Sequence, residues 1–379
     1  MQTEIIKHNI KMEPSLYSYS LIFALPLMLF FGVYLLLFKM PEKSIFRNYL
    51  RSRRIMGVAM LLLAVNYSVH FFFGIRFKNA DAAILMNLST YFLCYWLFSS
   101  ALTILLDRFY ITKRRLCTHI SLWIIYSILS CIVLLLLPKG IFQTVALLVL
   151  AVWLVIYGLV LACRLLRAYN KAIRIFEDTQ ADDIDAYIKW LSIFTYWAII
   201  FGVGCGLLTF LPDKYVYIWI LSSIPFYSYL FYSYQNYMIF YEQVERTLEI
   251  GNEPVEEVKA ESEKELPKYF ENIENNLIPW LERNGYTQPG LTIQDLTQML
   301  DTNRTYLIAY IKEKYKVSFC EWITGLRLEY AKKLLKGHPE MSVQKLAESS
   351  GFLSRSYFIK SFTKKEGYTP AKWRKANME

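Results

Sequence analysis

The sequence has no C-x-x-C pair, no H-E-x-x-H and no complete glycine-rich phosphate loop. Its six cysteines (Cys94, Cys117, Cys131, Cys163, Cys205 and Cys320) stand alone in spacing. Neither a zinc site nor a disulfide framework is indicated. The four histidines, His8, His70, His119 and His338, are equally scattered, with no metal-ligand pairing. No cofactor is expected. Gly202, Gly204 and Gly206 imitate part of a nucleotide loop, but no strand precedes them and an apolar run surrounds them. Close helix packing is the expectation there. With no nucleophile–base pair in evidence, the chain is not read as an enzyme.

Charge is scarce as well. Asp, Glu, Lys and Arg make up 20% of the chain, against 55% hydrophobic and 17% aromatic residues and a mean hydropathy of +0.26. That is too apolar for an ordinary soluble protein of this length. Seven runs, near 16–38, 55–75, 82–106, 117–137, 141–163, 187–211 and 215–237, are long enough to cross ~30 Å of hydrocarbon. The first is too long for a signal-peptide core and lacks a convincing cleavage site, so it is expected to be retained. Apart from edge residues such as Lys189, the runs contain no charged side chain. This argues against a transporter or channel with an ion or proton path. A membrane transporter or receptor with a regulatory cytoplasmic tail remains the alternative reading.

A few polar groups interrupt the runs. Asn66 and His70 lie one turn apart in the second, and Asn87 lies in the third. Interhelical hydrogen bonding is the expected role, with Asn66 and His70 the weak candidates for an unknown signal ligand. The seventh run is crowded with aromatics from Phe226 to Tyr237, which are expected to anchor and pack.

Lys and Arg sort the loops. One set holds fourteen: Lys39, Lys43, Arg47, Arg51, Arg53, Arg54, Arg108, Lys113, Arg114, Arg115, Arg164, Arg167, Lys171 and Arg174. The other, with the N-terminus, holds six: Lys7, Lys11, Arg76, Lys78, Lys139 and Lys214. The richer side is expected in the cytoplasm. Seven crossings then leave the N-terminus outside and the C-terminus inside. Beyond the last run, 238–250 continues helically, and 251–267 is an acidic stretch expected to be a solvated linker.

The C-terminal stretch states one pattern twice. Leu291-Thr-Ile-Gln-Asp-Leu296 and Asn303-Arg-Thr-Tyr-Leu-Ile308 answer to Met341-Ser-Val-Gln-Lys-Leu346 and Ser354-Arg-Ser-Tyr-Phe-Ile359. The offset grows by one residue in the turn containing Gly351. Such a repeat indicates one supersecondary unit used twice. Thr292 with Asp295, Asn303 and Ser354 are helix start signals. Ile293, Leu296, Leu300, Leu307, Ile311, Phe358 and Phe362 fall on inward faces. Arg304, Thr305, Lys312, Lys314, Arg355, Ser356, Lys360 and Lys364 fall outward. Two helix-turn-helix units with basic outer faces are expected. Between them a capping box, Ser318 with Glu321, opens a connector that ends at Gly337 and Pro339. An amphipathic helix over 267–286 precedes the pair, burying Phe270, Ile273, Leu277, Trp280 and Leu281. Residues 300–375 carry sixteen Lys or Arg against seven Asp or Glu.

Taken together, residues 291–374 resemble the DNA-binding domain of the AraC/XylS family of bacterial transcription regulators. The resemblance rests on Arg327-Leu328, Ala331 and Leu334-Leu335 in the connector, Gly351-Phe352 with Ser356-Tyr357-Phe358, and Gly367-Tyr-Thr-Pro370 before Trp373-Arg374. It implies that the second helix of each unit reads promoter DNA. Thr305, Ile308 and Ala309 would do so in the first unit, and Arg355, Ser356 and Lys360 in the second. Ala309 stands where many members carry a long polar side chain, so the first unit is expected to supply methyl contacts and phosphate anchoring. The expected fold is all-α: a seven-span bundle over 1–240, a juxtamembrane helix and linker over 241–267, and a double helix-turn-helix domain over 268–379. The implied partners are double-stranded promoter DNA and the bilayer of the bacterial inner membrane. RNA polymerase and a second copy of the chain (a homodimer) are further candidates.

Overall fold

The computed structural model describes residues 16–39, 43–182, 185–208, 213–252 and 266–376. Lys7, His8, Lys11 and positions 253–265 of the acidic stretch lie outside the described residues. Those described form helices, with no strand among them. They divide into two compact units.

The first unit comprises the described residues up to Tyr169, together with Lys189–Glu242. It holds α1 (Leu16–Leu37), α2 (Arg47–Phe73), the short α3 (Ile75–Lys78), α4 (Ala80–Ile104) and α5 (Lys113–Leu135). It also holds most of α6 (Ile141–Thr179), α7 (Asp185–Leu208) and α8 (Asp213–Asn252). Among the described residues five helices are long and apolar enough to cross a membrane: α1, the helical stretch Ser44–Phe73, α4, α5 and α6. In α7 the apolar part is shorter, Ile188–Gly202. The 215–237 run lies inside α8, where Tyr227, Ser228, Tyr229, Tyr232, Ser233 and Tyr234 lower its hydropathy. The helix continues without a break to Asn252, past the expected end of the span.

Apolar side chains cover the outside of this unit as well as its inside. Ile124, Ile128 and Leu135 on α5 and Phe142, Val145, Val149 and Ile156 on α6 are exposed. A helix that is apolar all round is normally surrounded by other apolar groups, either protein or lipid. Inside, α1 and α2 pack where both are small. A Cβ at Gly32 would come within 2.7 Å of Leu61, and one at Gly57 within 2.8 Å of Leu36. Small residues of this kind let two helix backbones approach closely. Arg53, counted above among the loop cations, is buried and donates to the carbonyls of Tyr34 and Phe38 at 2.7 and 2.9 Å. It thereby supplies a donor to the Phe38 carbonyl just past α1 and a second donor to the Tyr34 carbonyl, which already accepts from the Phe38 amide. Gly202 and Gly204 are helical and face Tyr95 and Trp219, as close packing requires; a Cβ at Gly204 would lie 2.5 Å from the indole.

The second unit comprises Asn170–Ile188 and the described residues from Gln243 onward. It therefore takes in the end of α6 and the end of α8, as well as the expected 268–379. Its remaining helices are α9 (Leu266–Glu282), α10 (Ile293–Met299), α11 (Arg304–Tyr315), α12 (Phe319–Gly337), α13 (Val343–Ser349), α14 (Arg355–Glu366) and α15 (Pro370–Ala376). Two hydrophobic clusters hold it together. One gathers Ile273, Leu277, Ile293, Leu296, Leu307, Ile311 and the N-terminal half of α12. The other gathers Leu346, Phe352, Phe358, Phe362 and the C-terminal half of α12. The 19-residue α12 thus belongs to both, a rod of ~28 Å at 1.5 Å per residue.

A candidate nucleic-acid interface

Short-range hydrogen bonds set the two candidate reading helices. Thr292 and Asp295 form a complete capping box at the start of α10, and Ser318 and Glu321 form another at α12. The Asn303 side chain accepts from the Tyr306 amide at 2.9 Å, and that of Ser354 from the Tyr357 amide at 3.4 Å. These caps occupy donors that a helix start leaves unsatisfied. They begin α11 and α14 at matching places in the repeat.

The turns before these helices differ by the one inserted residue. In the first, Asp301 takes a left-handed φ of 50°. In the second, Gly351 has φ 85°, and a Cβ there would come within 2.4 Å of the Thr287 carbonyl oxygen. Only glycine fits that position, because both the dihedral and the approach exclude a side chain.

The outer faces then diverge. On α14, Phe358 and Phe362 are fully buried, while Arg355, Ser356, Lys360 and Lys364 are exposed. On α11, Leu307, Tyr310 and Ile311 are buried, and Arg304, Thr305, Ile308 and Ala309 are half-buried. Ile308 packs partly against the first cluster. Lys312 is exposed, but its Nζ lies 2.7 Å from Asp178 Oδ2. The structure thus brings the predicted residues of each unit onto one helix, with a strongly basic face on α14 and a half-buried, mostly uncharged one on α11.

Several other cations are committed within the unit. Lys314 pairs with Glu274, and Lys316 lies 3.4 Å from Glu313. Lys332 lies between Glu329 and Glu366 at 2.9 and 3.0 Å, and Lys365 reaches Glu329 at 2.9 Å. Burial works against the charge on Lys332, but the two carboxylates outweigh it and hold its pKa above the usual lysine value. The excess of basic residues in this region therefore overstates the charge available to a polyanion.

Sequence reasoning missed the role of Arg327. Its side chain is fully buried, and its guanidinium makes three directed contacts. Nε donates to the Tyr286 carbonyl at 2.7 Å, Nη2 to the Gln288 carbonyl at 2.8 Å, and Nη1 to Asp182 Oδ1 at 3.0 Å. Its charge also stands 5.7 Å from the Phe352 ring centroid, within cation–π range. One side chain thus ties the connector to the entrance of the first helix-turn-helix, to the turn of the second, and to residue 182. Burial pushes the Asp182 carboxyl up, opposed by Arg327 and by the Leu353 and Gly290 amides. The only sequence signal was the Arg-Leu pair, and it does not say which acid it meets.

In the first unit Asn66 donates to Asn87 and Thr90 at 3.2 Å each, and His70 Nε2 lies 2.9 Å from Asn87 Oδ1. These bonds join α2 to α4. An apolar cavity of about 100 Å³ lies elsewhere in that unit, bounded by Tyr67, Tyr95, Phe98, Phe194, Trp219 and Phe226 among others. Neither Asn66 nor His70 lines it. Among the described residues no cluster of His, Cys, Asp and Glu could hold a metal ion.

A family model described as a helix-turn-helix domain matches residues 296–376. The raffinose operon transcriptional regulatory protein RafR of Pediococcus pentosaceus is 34% identical over 102 residues, 27% of this chain and 36% of the relative. The uncharacterized HTH-type transcriptional regulator YtdP of Bacillus subtilis is 30% identical over 105 residues, 28% of this chain and 13% of the relative. The melibiose operon regulatory protein of Escherichia coli is 27% identical over 90 residues, 24% of this chain and 30% of the relative. The chain thus spans between about an eighth and just over a third of the length of these relatives. No solved structure matches the chain significantly.

Proposed function

Starting from a C-terminal helix-turn-helix domain of the AraC/XylS type, homologous to AraC-family regulators, we propose that this chain is a membrane-integrated bacterial transcription regulator. It binds promoter DNA sequence-specifically through α11 and α14. The first unit lies in the inner membrane, anchors the protein and receives a signal. The observation that carries this reading is a pair of matched helix-turn-helix units on one rod, in a chain whose other unit turns apolar side chains outward.

The geometry suits that role. A rod of ~28 Å separates two readers by a distance comparable to the ~34 Å between successive major grooves on one face of B-DNA. One copy can therefore meet two adjacent grooves without a two-fold partner. Arg355, Ser356 and Lys360 present donors to base edges, with Lys364 toward phosphate. Arg304 and Lys312 anchor to phosphate, while Thr305, Ile308 and Ala309 offer methyl contacts. In the bilayer, α1, α2 and α4–α8 make seven crossings, with the N-terminus outside and the DNA-binding unit in the cytoplasm. The full chain acts from the membrane without being cut, and promoter DNA comes to it. RNA polymerase is the natural onward partner, and a second copy can join on the same membrane.

The test is chromatin capture with the full-length protein, followed by footprinting of the captured promoters with the protein in lipid nanodiscs. Protected sites sharing one motif support the reading. Capture and protection indifferent to sequence would overturn it.

A further inference from the structure

The second unit contains a piece of chain that its sequence neighbours do not explain. Residues 178–182, at the end of α6 and just beyond, lie against the first helix-turn-helix. Gln180 forms an antiparallel bridge with Thr292, and the Ala181 amide donates to the Leu291 carbonyl at 3.1 Å. Ala181 is fully buried within the hydrophobic cluster of α10 and α11. The Cys320 thiol lies 3.6 Å from the Ala181 carbonyl. Gln180 Nε2 donates to Thr247 at 3.0 Å, and Asp182 meets the buried Arg327. Four residues earlier than Asp182, Asp178 holds Lys312 at 2.7 Å.

These contacts have two characters. Gln180, Ala181 and Asp182 are buried and make main-chain and charged bonds. They form an anchor. The Asp178–Lys312 pair is open to solvent, with 25% and 52% of the two side chains exposed. Such pairs are weak and exchange readily with competing ions. Lys312 is also, with Arg304, one of the two cations of α11 placed to meet a phosphate. A lysine ammonium is a compact single charge, so a carboxylate already on it opposes a phosphate arriving from the same side.

We infer that residues 178–182 form an acidic strap belonging to the DNA-binding unit, which withholds Lys312 from DNA phosphate in the resting protein. This rests on the reading of α11 as a DNA-binding helix and adds a means of control to it. The strap runs directly into α6 on one side and toward α7 on the other, and both helices continue into the first unit. A signal received there has a covalent route to Lys312 that does not use the acidic linker. Because effector and DNA act on one equilibrium, DNA binding and strap release must favour each other.

The full-length chain in nanodiscs tests this with a double-mutant cycle, Asp178→Asn and Lys312→Ala, titrated with promoter DNA over a range of salt. Removing the carboxylate should tighten binding about two- to five-fold, the strength of an exposed ion pair. It should also steepen the salt slope by about one, for one regained phosphate contact. In the wild type, where Asp178 already holds the cation, Lys312→Ala should lower the slope by well under one; in the Asp178→Asn background it should lower it by about one and abolish both gains. Retained exchange protection at the Ala181 amide shows that the anchor is still folded. If Asp178→Asn changes nothing while Lys312→Ala alone lowers the slope by about one, the strap is only a brace and DNA binding by α11 stands. If no combination alters salt-dependent binding while Arg355→Ala still does, Lys312 touches no phosphate and the strap has no role. If none of the four proteins prefers promoter sequence, both readings fall.

Discussion

Asp182 and Arg327 are 145 residues apart in sequence and 3.0 Å apart in space, and both are buried. The pair joins residues between α6 and α7 to the centre of the connector helix. Buried pairs repay their desolvation only when every remaining donor and acceptor is bonded. Each guanidinium nitrogen of Arg327 makes one bond, to Asp182 Oδ1 or to a main-chain carbonyl, while Asp182 Oδ2 has no hydrogen-bond partner, so the pair meets that condition only in part.

Breaking the pair on one side should therefore cost far more than removing both sides. Arg327→Met should lower the local stability of α12 by about 3–5 kcal/mol, because it leaves a buried carboxylate without its cation. Asp182→Leu together with Arg327→Met should recover most of that loss. Amide exchange at Leu328 measures both.

Asp182 also gives a pH dependence with a definite sign. Its carboxyl is held above the ordinary 3.8, through burial first, with Arg327 opposing. A group raised on folding contributes its stability below the unfolded pKa and loses it as pH rises through the folded one. The second unit should thus lose this contribution on going upward from about pH 4. Asp182→Asn should flatten that part of the profile, as read by urea titration of Trp322 fluorescence at a series of pH values. An identical slope in the variant would remove Asp182 from the account.

Sequence preference should depend on α14 more than on α11. Arg355→Ala or Lys360→Ala is expected to cost about 1–3 kcal/mol and to relax the choice of base at one position each. Thr305→Ala should cost less, since α11 sits half-buried with a largely uncharged face. Selection from a randomised operator, repeated for each variant, reads the positions directly. Uniform weakening across all sequences would assign these side chains to phosphate.

Two glycines with similar dihedrals separate strain from crowding. Gly351 and Gly367 have φ of 85° and 77°, but a Cβ at Gly367 meets nothing within 4 Å. Gly367→Ala should cost about 1–2 kcal/mol for the left-handed backbone alone. Gly351→Ala should cost clearly more, because Thr287 must also move. Thermal melting of the two variants side by side gives the difference.

Reporter fusions bear on the orientation. A cytoplasmic reporter should be active after Glu379 or within 171–185, and a periplasmic one after Lys139 or Lys214. The reverse pattern would put α11 and α14 on the wrong side of the bilayer for DNA.

Much of this was legible in sequence because it is local. Caps such as Asn303 and Ser354 act over three residues, and inward positions such as Leu307 and Phe362 repeat with the helical turn. The all-α expectation held for the same reason. What could not be read was the company Arg327 keeps, since nothing local pairs it with Asp182. The contacts of residues 178–182 are equally non-local, since Ala181 and Asp182 meet partners more than a hundred residues away. At the membrane end, Arg53 was visible only as a positive charge near a span. That it closes the end of α1 depends on how two helices meet, which hydropathy does not encode.

The connector contributes to both hydrophobic clusters, and this has a consequence for how the chain can change over time. One residue added to or lost from the middle of α12 would turn α14 by ~100° about the rod relative to α11 and shift it by ~1.5 Å. No side-chain replacement undoes a rotation of that size. Length variation should then be tolerated in the turns around Asp301 and Gly351, where the two copies already differ by one residue, and be refused between Phe319 and Gly337. Operators for such a protein would drift in letters while keeping the helical phase between their two halves.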